Sequence, residues 1–176
     1  MSGEKQPYSY EIIRSGRRSL CLEISDDMRI LVRAPRQISP EAVEQFVCKH
    51  RKWLDKHLPL QQQRQAFQAA IDSQEQTLRQ RAQEEIPPLV RRYQAQMGVE
   101  AAGIRITGAA KRFGSCSAVN RLCFSWRLMA YPQAAIEYVV VHELCHIVHK
   151  NHGPAFYALL ASVLPDHRSR ERLLRF

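Results

Sequence analysis

The residues with the clearest chemical pattern are two histidines and a glutamate in one short stretch of the chain. His142, Glu143 and His146 form the pattern H-E-x-x-H. On a helix this spacing places both imidazoles on the same face, one turn apart, where they can occupy two corners of a tetrahedral metal site. In this pattern the histidines bind zinc, and the glutamate acts as general base on the water that the metal activates.

A third histidine, His152, follows His146 by six residues and is the predicted third ligand of one zinc ion. An uninterrupted helix would carry His149 about 10.5 Å along the axis from His142, too far for the two to share a metal with bonds near 2 Å. The helix therefore has to end near residue 150 so that the chain can turn. The reserve candidates for the third position are Asp166, His167 and Glu171.

The sequence around the third histidine is typical of a helix end followed by a new helix. Asn151 tolerates the left-handed conformation in which helices often end, and Pro154 suits the first position of a helix. The second helix would then pack through Phe156 and the apolar residues that follow it. We therefore expect His152 to lie at a corner that folds back on the metal.

The run before the motif, residues 136–141, is strongly apolar, so the helix that carries the motif should be largely buried. Burying two histidines and a glutamate without partners would cost several kcal/mol, whereas a metal ion satisfies all three together. A metal site is therefore a better interpretation of the motif than a polar surface helix.

Length and composition indicate a single cytoplasmic domain. The chain has 176 residues, of which 45% are hydrophobic, which suits one domain with a substantial core. Its first residues lack the apolar run of a signal peptide, and no apolar stretch approaches the roughly 18 residues that span a bilayer. The five cysteines include no C-x-x-C pair, as expected of reduced thiols. We therefore predict a cytoplasmic protein that does not contact a membrane.

The formal net charge of +9 is concentrated in part of the chain. Between residues 105 and 127 five cationic side chains occur without an Asp or Glu. Such a segment is either a solvated surface or a means of holding an anionic substrate. Arg112 and Arg127 are expected to lie best placed to reach the metal cleft from beside a predicted turn at residues 114–117, and with Tyr157 they are the candidate substrate contacts.

The remaining pattern predicts an α+β fold in which small, mostly antiparallel sheets pack with helices. Residues 1–60 should form an antiparallel meander and a helix from Ser39 to Pro59, and residues 61–98 a helical connector that Pro87 and Pro88 interrupt or kink. Residues 99–176 should form the catalytic part, with two strands followed by the metal helix. The three segments together are predicted to form one domain.

Several motifs resemble those of the YgjP-like family of zinc metallohydrolases. They are Gly-Ser-Cys-Ser at 114–117, Phe-Ser-Trp-Arg-Leu at 124–128, the run 138–146 that contains H-E-x-x-H, Asn151-His152 and Pro165-Asp166. The resemblance is close over the last seventy residues or so and looser before them. It implies a zincin-like α+β fold, with His142, His146 and His152 as zinc ligands and Glu143 as base.

Three functions are compatible with these residues. The first is a metallopeptidase-like hydrolase, whose oxyanion partner could be Tyr131, Tyr138, Tyr157 or Arg127. The second is hydrolysis of a nucleoside triphosphate or another phosphate ester at the same zinc, with the basic segment holding the phosphates. The third is a nucleic-acid-binding module without catalysis, in which a structural zinc would need a fourth protein ligand such as Cys116. The substrate is accordingly a peptide, a nucleotide or another small molecule, including anionic ones.

Overall fold

Two three-stranded sheets, six α-helices and one 3₁₀ helix make up residues 8–174, the part of the chain that this computed structural model describes. The strands are β1 (Glu11–Ser15), β2 (Cys21–Ile24), β3 (Ile30–Pro35), β4 (Gly103–Thr107), β5 (Gly114–Cys116) and β6 (Arg121–Ser125). The α-helices are α1 (Pro40–Lys49), α2 (Arg51–Asp72), α3 (Glu75–Met97), α4 (Gln133–Val148), α5 (Pro154–Val163) and α6 (His167–Arg172). The 3₁₀ helix spans Trp126–Ala130. The predicted α+β class is confirmed.

Contacts divide the chain into two compact units, Met1–Ala69 and Ala70–Phe176. The first unit contains β1 to β3, α1 and most of α2, and the second contains the remaining elements. The three histidines of the predicted metal site all belong to the second unit. The predicted layout, one domain with segments at 1–60, 61–98 and 99–176, stays a prediction.

The first sheet is not the meander that the sequence predicted. Its strand order is β1-β3-β2, with β1 parallel to β3 and β2 antiparallel to β3. A tight turn at Ser25–Met28, where the Met28 amide donates to the Ser25 carbonyl oxygen at 3.0 Å, pairs β2 with β3 directly. The five-residue link between β1 and β2 is long enough to pass the end of β3, because neighbouring strands lie about 4.8 Å apart. The second sheet is also mixed, so neither sheet is mostly antiparallel.

The helices are longer than the prolines suggested. Helix α1 begins as predicted, with the Ser39 side chain accepting a hydrogen bond from the Ala42 amide at 3.2 Å. It ends at Lys49, and α2 then passes through Pro59, which was predicted to end the first helix. Good helix formers flank this proline, mainly Lys and Leu before it and Gln, Arg and Ala after it, and they continue the helix despite one lost hydrogen bond. Within residues 8–174 no helix combines the length and apolar character needed to cross a membrane.

Helix α3 continues through Pro87 and Pro88 from Glu75 to Met97. Its buried residues recur every three or four positions, and they pack against α4 and the 3₁₀ helix. This packing outweighs the hydrogen bonds that the two prolines remove. Gly98 caps the end of the helix and adopts the left-handed conformation with φ 66°. Helix α3 thereby forms the support on which the metal helix lies.

The second sheet has the order β4-β6-β5, with β4 parallel and β5 antiparallel to β6. Leu122 and Phe124 of β6 are fully buried, so this face of the sheet contacts the core. The predicted turn at residues 114–117 is instead mostly the short edge strand β5, because Ser117 and Asn120 form the hairpin turn one step later in the chain. Strand β5 contacts α4, which places an open sheet edge beside the metal helix.

Helix α4 is held in place by two ion pairs in its second turn. Glu137 accepts a hydrogen bond from Arg170 of α6 at 2.6 Å and another from Arg92 of α3 at 3.0 Å. Burial by itself would raise the pKa of Glu137, but the bonds from both guanidinium groups outweigh burial and hold the pKa below its usual value. The carboxylate thus links three helices of the second unit at a point five residues before the first histidine of the motif.

Replacing Glu137 with Gln should lower the free energy of unfolding at neutral pH by about 1 to 2 kcal/mol, because two hydrogen bonds lose their charge and one of them is largely shielded from solvent. The pKa of this carboxyl is lower in the folded state, so its contribution is present above the unfolded pKa and disappears as pH falls through the folded pKa. Urea denaturation at neutral and acid pH would measure both effects. Glu84→Gln, an exposed change on α3, is the control, and an equal loss of stability in acid would contradict the assignment.

Candidate metal centre

Three histidine side chains converge where α4 ends and α5 begins. The Nε2 atom of His152 lies 3.0 Å from Nε2 of His142 and 3.1 Å from Nε2 of His146. Among the described residues, these three form a group whose ligand atoms all lie within 4.8 Å of one another. Bonds of 2.0 to 2.1 Å at tetrahedral angles would separate nitrogen ligands by about 3.3 Å. The donor set and its spacing therefore fit a zinc ion.

The turn that brings His152 to this group forms in a different way from the one predicted. Helix α4 ends at Val148, and His149 follows in an extended conformation with φ −123° and ψ 103°. Asn151 is not among the described residues with positive φ, so the left-handed helix end expected there is wrong. Pro154 occupies the first turn of α5, as predicted. His152 accordingly lies at the corner between two helices.

The environment of the two helix histidines, His142 and His146, favours the neutral imidazole that metal binding requires. Burial, reinforced by charge on the other two rings, lowers the pKa of His142 to about 4. Burial also lowers the pKa of His146, although a hydrogen bond with the carbonyl oxygen of His149 opposes this. Neutral imidazole is the form that offers a lone pair to a metal. The local environment therefore keeps His142 and His146 available as ligands at neutral pH.

The non-ligating ring nitrogens of the two helix histidines differ in their surroundings. Nδ1 of His146 lies 3.0 Å from the carbonyl oxygen of His149, which fixes the ring and leaves Nε2 facing the group. Nδ1 of His142 is buried without a hydrogen-bond partner in the described part of the chain. The ring of His142 is instead positioned by aromatic neighbours, Tyr138 at 5.7 Å and Phe156 at 4.9 Å between ring centroids.

Phe156 contacts all three histidines and forms the floor of the site. Its ring centroid lies 4.7 Å from those of both His146 and His152, in addition to its contact with His142. The side chain is fully buried. The sequence identified Phe156 only as part of the packing face of α5. Its position four residues after His152, one turn into the new helix, was the signal that it would lie under the ligands.

Glu143 lies against the edge strand β5. Its carboxyl is buried, and burial raises its pKa to about 7 while the positive charge of Arg112 opposes the shift. A Cβ atom at Gly114 would lie 2.5 Å from Oε1 of Glu143 and 2.6 Å from its Cγ. Only glycine allows this close approach between strand and carboxyl group. The geometry therefore holds Glu143 at the wall of the cleft.

The site opens into a cleft of about 370 Å³ between α4 and β5. Besides the three histidines and Glu143, its lining consists of Arg112, Gly114, Ser115, Cys116 and Lys150. The Lys150 ammonium group donates to Asn120 Oδ1 at 2.6 Å and to the Ser117 carbonyl oxygen at 3.2 Å. These bonds tie the β5–β6 hairpin to the end of α4. Lys150 was not predicted from the sequence as a site residue, although its position beside the motif was a signal.

The structure brings one of the three candidate substrate contacts to the cleft. Arg112 lines it, whereas Arg127 forms an ion pair with Asp72 and stacks on Trp126 with its guanidinium carbon 4.5 Å from the ring centroid. Tyr157 is half exposed on α5, with its ring 6.4 Å from that of His152, and is outside the cleft lining. Arg127 has a partner elsewhere because the 3₁₀ helix that follows β6 turns its side chain away.

Helix-borne histidines, a neighbouring carboxylate and an open cleft define the class of metal-dependent hydrolases, and comparison with known proteins agrees. The family profile described as "YgjP-like, metallopeptidase domain" matches residues 62–176. The chain belongs to this family, and the resemblance found in its motifs is confirmed. No curated protein sequence is significantly similar to the chain.

Two solved structures are similar to part of the chain. The metallopeptidase zymogen of Pyrococcus abyssi abylysin has 16% sequence identity and a TM-score of 0.46, over 49% of this chain and 89% of its own. The metallopeptidase zymogen of Methanocaldococcus jannaschii jannalysin has 21% identity and a TM-score of 0.45, over 50% of this chain and 91% of its own.

Replacing His152 with Ala should weaken zinc retention by about tenfold or more, because one of three converging nitrogens is lost. His149→Ala is the matched control, since its backbone carbonyl contacts His146 but its side chain is not part of the group. Zinc content after dialysis against a weak chelator measures the difference. If the His149→Ala protein loses zinc and the His152→Ala protein retains it, His149 and not His152 is the third ligand.

Replacing Gly114 with Ala should displace the Glu143 carboxyl group, because the added methyl would overlap three of its side-chain atoms. We expect zinc content to stay unchanged while turnover of a substrate falls by about tenfold or more, as when a catalytic group is misplaced by about 1 Å. Gly16→Ala, where an added Cβ meets nothing within 4 Å, is the control for a glycine replacement. Full activity of the Gly114 variant would show that the close approach is not needed.

Proposed function

We propose that the chain is a zinc-dependent metallopeptidase-like hydrolase in which His142, His146 and His152 hold one zinc ion and Glu143 is the general base. The observation that carries this proposal is the convergence of three imidazole nitrogens, 3.0 and 3.1 Å apart, beside a buried carboxyl in an open cleft. Three nitrogen ligands leave a further coordination position, as catalytic zinc sites do.

The protein's own groups have distinct tasks in this proposal. When bound, zinc supplies Lewis acidity that activates water near neutral pH, polarises the scissile carbonyl and favours the ionised form of Glu143. Glu143 takes the proton from the attacking water at its carboxylate and passes a proton to the leaving amine. Gly114 keeps the carboxylate at the cleft wall, and Phe156 keeps the three imidazoles in their orientations.

The open edge of β5 supports a peptide substrate. Strand β5 pairs on one side with β6, and among residues 8–174 no strand pairs with its other side. An extended peptide can add to such an edge through main-chain hydrogen bonds. Gly114 and Cys116 line the cleft next to His142 and Glu143, so a peptide along this edge would pass the candidate metal centre.

Hydrolysis of a nucleoside triphosphate is the second candidate, and one observation favours it. Arg112 and Lys150 both line the cleft, and neither forms an ion pair with a carboxylate within the described residues. Two such cations could hold phosphates, since charge-assisted bonds to phosphate are among the stronger hydrogen bonds. If phosphates bind there, Arg112→Ala should raise the apparent KM for the nucleotide by about one to two orders of magnitude, less at high salt.

A structural zinc in a nucleic-acid-binding module is the third candidate. A structural site has four protein ligands, usually including cysteine. Cys116 lines the cleft, but the group of close ligand atoms in the described part of the chain consists of three histidines. Salt-dependent binding of DNA in a gel-shift assay, with no hydrolysis of any substrate, would favour this hypothesis.

The decisive experiment compares peptides and nucleoside triphosphates as substrates of the zinc-loaded protein, with Glu143→Gln as the paired variant. The substitution keeps the shape of the side chain and removes the base, so zinc should remain while turnover falls by about 10² to 10⁴. Cleavage of peptides with this dependence supports the proposal, and cleavage of nucleotides alone would support the second candidate.

Equal loss of zinc and activity in the Glu143→Gln protein would instead assign this residue a structural role. Activity that survives the substitution would contradict its assignment as the base.

A further inference from the structure

A second cavity lies on the opposite face of the second sheet from the metal helix. It has a volume of about 210 Å³. Its lining residues are Arg105, Thr107, Ala109, Arg112, Phe113, Gly114, Ser115, Cys123 and Ser125. None of the residues that form the metal group belongs to this lining. The function proposed for the chain does not use the cavity, which we name the outer cavity.

Strand register explains why these side chains share one face. Ser115 of β5 lies opposite Cys123 of β6, which in turn lies opposite Arg105 of β4. Residues in register across a sheet point to the same side, and alternate residues point to opposite sides. Gly114 faces Glu143 on the helix side, so Ser115 faces the outer side together with Arg105.

The outer cavity has the charge of an anion site. Arg105 and Arg112 are its two charged lining residues, and no Asp or Glu is among the others. Neither guanidinium forms an ion pair with a carboxylate of residues 8–174. Guanidinium groups bind carboxylate and phosphate oxygens with two parallel hydrogen bonds. Two guanidinium groups that line one cavity with no Asp or Glu in its lining repel each other, and a bound anion would relieve that repulsion.

Hydroxyl groups complete the lining. The Ser115 hydroxyl forms no hydrogen bond with any other residue in the described range, so it can donate to a bound oxygen. The Thr107 hydroxyl makes only a long bond, 3.4 Å, to the Phe124 carbonyl oxygen. The Ser125 hydroxyl instead donates to the Ala109 carbonyl at 2.7 Å, which fixes the loop that carries Arg112. The cavity therefore offers guanidinium and hydroxyl donors, and the loop that carries one of the guanidinium groups is fixed by a hydrogen bond.

The outer cavity and the metal cleft share part of their lining, namely Arg112, Gly114 and Ser115. Only β5 and its preceding loop separate them. We propose that the outer cavity is an oxyanion-binding site, in which Arg105 and Arg112 hold a carboxylate or phosphate group of the molecule whose reacting bond lies in the metal cleft. This inference rests on the proposed hydrolase function for its substrate, but the oxyanion site itself does not require it.

The alternation of a peptide strand indicates how one substrate would reach both places. A peptide added along the open edge of β5 sends successive side chains to opposite faces of the sheet. A residue beside the one that faces the metal cleft would then point toward Ser115 and the outer cavity. An acidic residue at that position meets the arginines, whereas a phosphorylated small molecule would place its phosphate there.

The first test measures binding of inorganic phosphate to the zinc-loaded protein by calorimetry at low ionic strength. Arg105→Gln should weaken binding by about tenfold or more, since a charge-assisted contact is removed. Arg105 does not line the metal cleft, so this change reports on the outer cavity and not on phosphate at the zinc. Arg121→Gln is the matched control, because Arg121 lies on the same sheet but outside the cavity lining, and it should leave phosphate affinity within about twofold.

The second test distinguishes the source of the anion. Paired peptides that differ only by Glu or Gln are compared at each position near the cleaved bond. If an acidic side chain occupies the outer cavity, the peptide with Glu should be preferred to the peptide with Gln at one position. Arg105→Gln should then reduce the ratio of kcat/KM for the Glu peptide to kcat/KM for the Gln peptide by about tenfold, whereas Arg121→Gln should leave this ratio unchanged. Phosphate binding without such a preference identifies a phosphate group as occupant.

Two results would overturn the oxyanion site. One is the absence of phosphate binding together with no preference for Glu at any position. The other is phosphate affinity that Arg105→Gln and Arg121→Gln change equally, which would reflect net charge alone. If no peptide is cleaved at all, the proposed peptidase function fails, while the phosphate measurement still decides whether the oxyanion site exists.

Discussion

Short metal bonds impose the constraint on which this structure depends: three imidazole nitrogens have to meet within about 3.3 Å of each other. One helix supplies only two of them at this spacing, so the third has to come from beyond its end. Helix α4 ends at Val148 and α5 begins at Pro154, which leaves His152 at the corner. Phe156 then packs under all three rings. The end of one helix and the first turn of the next are thus parts of the same site.

The second sheet forms a wall with a different chemistry on each face. Its helix side holds Glu143 against Gly114, where any side chain would collide. Its outer side carries Arg105 and Ser115, which line a cavity without acidic residues. The open edge of β5 connects the two faces, and Arg112 contributes to both. A substrate that binds along this edge could be held on one side of the sheet and react on the other.

The local motifs predicted more of this molecule than the proline pattern did. The three histidines could be predicted to meet because their spacing is set by local structure. Helical periodicity brings together the two histidines of H-E-x-x-H, and the Asn-His-Gly-Pro sequence places the third at the corner between two helices. Pro59 was expected to end a helix, and Pro87 and Pro88 to interrupt or kink one. Neither helix is interrupted, because flanking propensity and tertiary packing outweigh a local rule. The parallel pairing of β1 with β3 was missed because strand order depends on distant contacts. The ion pair between Arg127 and Asp72 could not be predicted either, because it also depends on a contact between residues far apart in sequence.

X-ray absorption at the zinc edge of the zinc-loaded protein tests the central claim most directly. A centre of three histidines should give nitrogen or oxygen ligands at about 2.0 to 2.1 Å, with the multiple scattering of three imidazoles and no sulfur. The His152→Ala protein should lose one of these imidazoles. Sulfur at about 2.3 Å would place Cys116 or another thiol on the metal and indicate a closed structural site. An imidazole count that His152→Ala leaves unchanged would contradict the three-histidine centre.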